Sequence, residues 1–109
     1  MTAKELAKKC NLNVLSLGNE NCEITGVYCC DLLSVVMGKA TLGCAWVTVM
    51  ANVNAVAVAS LAEIGLVVFA DGAKPEDIVL EKAKQNGINI VCSDKNIFDT
   101  ALELYEALK

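Results

Sequence analysis

Three short segments of this chain are apolar on both parities: Cys44-Ala45-Trp46-Val47-Thr48-Val49, Leu66-Val67-Val68-Phe69-Ala70 and Ile88-Asn89-Ile90-Val91-Cys92. None carries a charge, and only Thr48 and Asn89 are polar. In a strand, successive side chains point to opposite faces. A strand apolar at odd and even positions alike must be covered on both sides, and such strands belong to parallel sheets with helices on each face. Parallel neighbours need a crossover of a dozen or more residues, usually a helix. The chain between the three segments has that length. This pattern limits the fold to an α/β class with a mostly parallel sheet.

The crossovers carry their own signals. Val53 to Ala62 is uncharged and rich in alanine, so it reads as a helix capped by Asn52 or Asn54. Pro75 to Asn86 reads as a second helix. The only proline of the chain stands in its first turn, Glu76 and Asp77 follow, and Gly87 stops it. Ser93 or Asp94 is placed to open a final helix with Ile97, Ala101, Tyr105 and Leu108 on one face. The second half is therefore β-α-β-α-β-α. In the first half, Thr2 and Glu5 make a capping box for a helix ended by Asn11. Asn13 to Ser16 and Ile24 to Cys29 are strands, with a gap short enough for a hairpin. Asp31 looks like the cap of a short helix from Leu32 to Met37, stopped by Gly38. No repeat or linker interrupts residues 1–109, so they are read as a single domain.

Composition excludes several chemistries. The chain has nine lysines, no arginine and no histidine, and a net charge of −4. It therefore lacks the arginine fork that grips phosphates in two bonds, and any imidazole acid, base or metal ligand. Nucleic-acid platforms pair a basic stripe with aromatics; an acidic chain with five aromatic residues argues against one. The unbroken apolar runs fall far short of the ~20 residues of a membrane-spanning helix. The N-terminal MTAKELAKKC is charged and helical in pattern, unlike a signal peptide. The chain is read as cytoplasmic. Its six cysteines are read as free, reduced thiols. No C-x-x-C occurs, and the adjacent Cys29 and Cys30 point to opposite faces of a strand, so no metal or cofactor is expected. The apolar fraction of 55% exceeds the roughly 45–50% of ordinary domains. Together with the uncharged Val53–Ala62 helix, it implies a second buried surface and a homodimer.

Several motifs, in order and spacing, resemble the DRTGG domain family. Gly26-Val27-Tyr28-Cys29-Cys30-Asp31-Leu32-Leu33-Ser34 resembles its G-x-Y-x-S-D-L-L-S stretch. Leu42-Gly43-Cys44-Ala45-Trp46-Val47-Thr48 is similar to its G-D-x-W-V-T strand. Ala70-Asp71-Gly72-Ala73-Lys74-Pro75 is similar to its T-G-G-x-x-P turn, and the likeness runs on through Gly87 to Val91. The resemblance implies a three-layer α/β/α sandwich, related in fold to the N-terminal domain of HPr kinase. It also implies a regulatory module like those attached to phosphotransacetylases and to CBS-containing pyrophosphatases. Stand-alone forms are associated with anaerobic energy and redox metabolism. Two departures stand at the ends of strands. Asp71 replaces a glycine, where its carboxylate opposes a phosphate unless a cation intervenes, and Cys30 replaces a serine.

Catalysis finds no support. Gly38-Lys39 lacks the rest of a P-loop, and no histidine is present to serve a triad. The expectation is a non-catalytic sensory module for a small, nucleotide-like ligand; the alternative is a subunit that docks on a larger metabolic enzyme. In parallel sheets ligands bind beyond the carboxyl ends of the strands. The residues expected there are Asp31, Asn52, Asn54, Asp71, Gly72, Lys74, Ser93 and Asp94. Gly72 is expected to let backbone approach a ligand, and Lys74 is the one cation in reach.

Overall fold

A computed structural model describes residues 1–109. The elements in chain order are α1 (Ala3–Lys9), β1 (Asn13–Ser16), β2 (Val27–Cys29), α2 (Leu33–Lys39), β3 (Ala45–Thr48), α3 (Val53–Leu61), β4 (Leu66–Phe69), α4 (Asp77–Asn86), β5 (Ile90–Cys92) and α5 (Ile97–Leu108). One five-stranded sheet has the order β1-β5-β4-β3-β2. β2, β3, β4 and β5 are parallel, and β1 runs antiparallel along β5. The fold is the mostly parallel α/β/α sandwich expected.

Two cores explain why the central strands are apolar throughout. One face of the sheet presents Trp46, Val67, Phe69, Ile90 and Cys92 to α2, α3 and α4. The other presents Ala45, Val47, Leu66, Val68 and Val91 to α1 and α5. Every residue of β3, β4 and β5 is buried. α3 is the middle helix of its layer, in contact with α2 on one side and α4 on the other. Its lack of charge follows in part from that position, although Val53 and Leu61 remain exposed.

The hairpin expected between β1 and β2 does not form. The two strands lie at opposite edges of the sheet. The connecting segment instead folds back on α1: Ala3 N–H donates to Cys22 C=O at 2.9 Å, and Lys4 N–H to Glu20 C=O at 3.0 Å. It is then pinned to the sheet by Asn89. The Asn89 side chain donates to Asn19 C=O at 2.8 Å and Gly65 C=O at 2.9 Å, and accepts from Asn19 N–H at 3.0 Å. A buried amide satisfied this fully fixes a connection that local spacing does not encode.

Helix ends follow the sequence in some places and depart in others. The Thr2–Glu5 capping box is present, Asn52 caps α3, and Gly87 closes α4 in the left-handed conformation at φ 67. α2 starts from Leu32 with no side-chain cap and runs through Gly38 to Lys39. α4 begins at Asp77, two residues beyond Pro75. α5 is capped by Asn96, whose side chain accepts from Asp99 N–H at 2.8 Å, and not by Ser93 or Asp94.

Candidate functional site

The chain leaves β4 through a tight turn. Asp71 and Gly72 both have left-handed backbone, at φ 59 and φ 71, and Ala73 N–H donates back to Ala70 C=O at 3.0 Å. Asp-Gly is the pair that tolerates such consecutive positive φ values. The amides of this turn are already engaged. Asp71 N–H donates to Lys95 C=O at 2.7 Å and Gly72 N–H to Ser93 C=O at 3.0 Å. The turn is thereby stitched to the segment after β5, and Gly72 offers no free N–H to a ligand.

Beside that stitch lies a cleft of about 390 Å³ at the carboxyl ends of β4 and β5. Its volume falls in the range of small-molecule sites, roughly 300–1,000 Å³. It is lined by Gly72 to Lys74 after β4 and by Cys92 to Lys95 at the end of β5. The junction of α1 and β1, from Cys10 to Asn13, and Glu103 of α5 complete the lining. Asn11 makes the bend at φ 53 that turns α1 into β1.

The polar groups of the cleft divide into committed and free. Ser93 Oγ shares a hydrogen bond of 2.9 Å with Thr100 Oγ1 and accepts from Lys95 N–H at 3.2 Å, so it is structural. Lys95 Nζ pairs with Glu103 Oε2 at 2.6 Å, and that bond raises the ammonium pKa. Lys74, Asp94, Asn11 and Asn13 have no side-chain partner within the protein. One free ammonium, one free carboxylate and two free amides thus border one crevice. Burial raises the thiol pKa values of Cys10 and Cys92, with the Glu103 carboxylate adding to it at Cys10. At neutral pH both line the cleft as neutral thiols rather than nucleophiles.

Of the eight residues expected at the strand ends, Gly72, Lys74, Ser93 and Asp94 come together here. Asp71 projects from the turn outside the cleft lining. Asp31 is elsewhere in role: its Oδ1 accepts from Thr48 Oγ1 at 2.7 Å and Val49 N–H at 3.0 Å, tying the end of β2 to the end of β3. Asn52 is occupied as the cap of α3, accepting from Ala55 N–H at 3.0 Å. Asn54 lies on the outer side of α3, by the groove it forms with α4. Sequence reasoning missed Cys10, Asn11, Leu12 and Asn13, because it placed β1 beside β2 rather than beside β5. The pairing Asn13↔Cys92 is what brings them to the cleft.

Fold and cleft together define a three-layer α/β domain with a polar crevice at the carboxyl edge of its parallel strands. No family model matches the sequence, and no curated protein matches it. Among solved structures, the chain superposes on the CBS and DRTGG domains of the regulatory region of Clostridium perfringens pyrophosphatase, complexed with the activator diadenosine tetraphosphate. The TM-score is 0.78 over 97% of this chain, at 13% sequence identity. The chain spans 46% of the length of that neighbour. At this identity the likeness establishes the fold, which is that of a DRTGG-type domain.

Proposed function

We propose that this chain is a non-catalytic regulatory module that binds a small polar ligand in the cleft between the Ala73–Lys74 segment and the α1–β1 junction. The observation that carries the reading is the convergence there of four unpaired polar side chains, Asn11, Asn13, Lys74 and Asp94, at the carboxyl edge of a parallel sheet. Mixed charge and amide groups suit a ligand that both donates and accepts hydrogen bonds. The neighbouring pyrophosphatase region, a regulatory assembly solved with a nucleotide activator, supports a sensory role and a nucleotide-like ligand. The absence of histidine and of a P-loop supports a role without catalysis. The motif resemblance to stand-alone DRTGG proteins supports action in the cytoplasm, in anaerobic energy or redox metabolism.

A thermal-shift screen against adenine nucleotides, diadenosine tetraphosphate and acyl phosphates tests this. A ligand that binds the folded state alone raises Tm with its concentration, by mass action. At least one compound is expected to do so, with the shift reduced in Lys74→Ala. A flat response across the panel, or an undiminished shift in Lys74→Ala and Asp94→Ala alike, contradicts the reading.

A further inference from the structure

The edge of the sheet farthest from the cleft is open. β2 pairs with β3 on one side only. Toward β3 the ladder uses the C=O of Gly26, which accepts from Ala45 N–H at 2.8 Å, and the N–H of Cys30, which donates to Val47 C=O at 3.3 Å. The alternation of a strand then turns the N–H and C=O groups of Val27 and Cys29 outward. From Gly26 to Cys30 there is no charge and no proline, the usual devices that blunt an edge strand. Beside this edge runs α5, packed against β2 and β3. Its Phe98, Leu102 and Tyr105 recur at helical spacing and are 70%, 42% and 55% exposed. The same helix buries Thr100, Leu104 and Ala107 on its inner side. Tyr105 and Gly26, just before β2, line one shallow crevice, which puts the C-terminal end of the apolar stripe at the open strand.

We propose that this edge is a self-association surface: β2 pairs antiparallel with β2 of a second copy, and the two α5 helices pack beside one another. The occupant follows from symmetry and spacing. A two-fold axis through Tyr28 sets Val27 opposite Cys29 of the partner, so the outward backbone groups of both chains satisfy one another. Strands in a sheet lie about 4.8 Å apart. A helix seated over β2 and β3 then meets its symmetry mate at about 10 Å, the upper end of the helix-packing range. The charges agree with this placement. α5 starts near the carboxyl ends of the strands, where Lys95 C=O accepts from Asp71 N–H, and ends beside Gly26. Antiparallel α5 helices set the first turn of one, which carries Asp99, against the C-terminal end of the other, where the C-cap Lys109 lies over the Tyr105 ring. Their dipoles oppose favourably. The outer face of α3, with Val53 and Leu61, is also apolar but offers no unpaired backbone, so the β2 edge is the stronger surface. The proposed interface uses Phe98, Leu102 and Tyr105 of α5, none of which lines the ligand cleft, although Glu103 of the same helix does.

Light scattering and hydrogen exchange on the full chain test it. The parent should scatter as a dimer of the 11.5 kDa chain. Phe98→Lys/Leu102→Lys changes two exposed residues, and should raise the dimer dissociation constant at least tenfold while leaving the far-UV circular dichroism unchanged. Leu61→Lys on α3 should remain dimeric. The amides of Val27 and Cys29 should be protected in the parent and exchange fast in the double variant, with Cys30 protected in both. A monomeric parent at high concentration overturns the proposal. So does a double variant as dimeric as the parent, or a dimer lost through Leu61→Lys.

Discussion

The carboxylate of Asp31 accepts from Thr48 Oγ1 and Val49 N–H, and Thr48 is fully buried. By sequence Asp31 is a helix cap; in the fold it joins two strand ends, because the backbone before α2 is extended at Leu32 and carries the carboxylate toward β3. Asp31→Ala leaves the Thr48 hydroxyl and the Val49 amide without that acceptor. A loss of about 1–3 kcal/mol is expected, the usual cost of stranding a buried polar group. Denaturant titration at neutral pH measures it, and a variant as stable as the parent refutes the role. The thiols carry a second consequence. Burial raises the pKa of Cys10, Cys22, Cys29, Cys44 and Cys92 above the ordinary value of 9.0. Raised folded-state values mean that the native chain holds its thiol protons more tightly than the unfolded chain. The stability this provides is complete below the unfolded thiol pKa and is lost as pH rises through the folded values. Melting temperature should therefore fall as pH is raised above 9.0. In Cys44→Ala that fall should be smaller, even if the neutral-pH melting point is lower.

The elements were legible where one signal dominates. β3, β4 and β5 declare themselves because they are apolar on both faces, with Thr48 at the end of β3 the one polar residue, and α3 and α4 because parallel strands require crossovers. The element that misled was β1. Its short, mixed sequence Asn13-Val14-Leu15-Ser16 fits either sheet edge, and a brief polar gap before β2 suggests a hairpin. The choice is made by tertiary contacts that no local pattern contains: the Asn89 clamp, and the approach of two glycines. A Cβ placed on Gly18 would stand 2.2 Å from the backbone carbon of Gly87. Gly18→Ala should thus force the loop off the end of α4 and destabilise the chain by several kcal/mol, toward the upper end of what single substitutions do. By contrast Gly38→Ala, with open space around its Cβ and a helical site, should be neutral or stabilising by about 0.5–1 kcal/mol. Chemical denaturation of the two variants side by side checks the pair. Equal effects would mean that Gly18 does not make the close approach described.

At the scale of the whole molecule, the two edges of the sheet are differently equipped. β1 is the edge strand beside the polar cleft; β2 is the edge strand beside the exposed apolar residues of α5. Half of the expected site residues converge on the cleft because strand ends were legible, while the Cys10–Asn13 wall depended on the placement of β1. The central claim is that ligand binding occurs at that wall, and amide chemical-shift mapping tests it most directly. A 15N-labelled sample is titrated with the compound giving the largest thermal shift. The account predicts shift changes concentrated at Cys10 to Asn13, Gly72 to Lys74 and Cys92 to Lys95, and largely absent in Lys74→Ala. Changes centred on the α3–α4 groove or the β2 edge, or no saturable change at all, would contradict it.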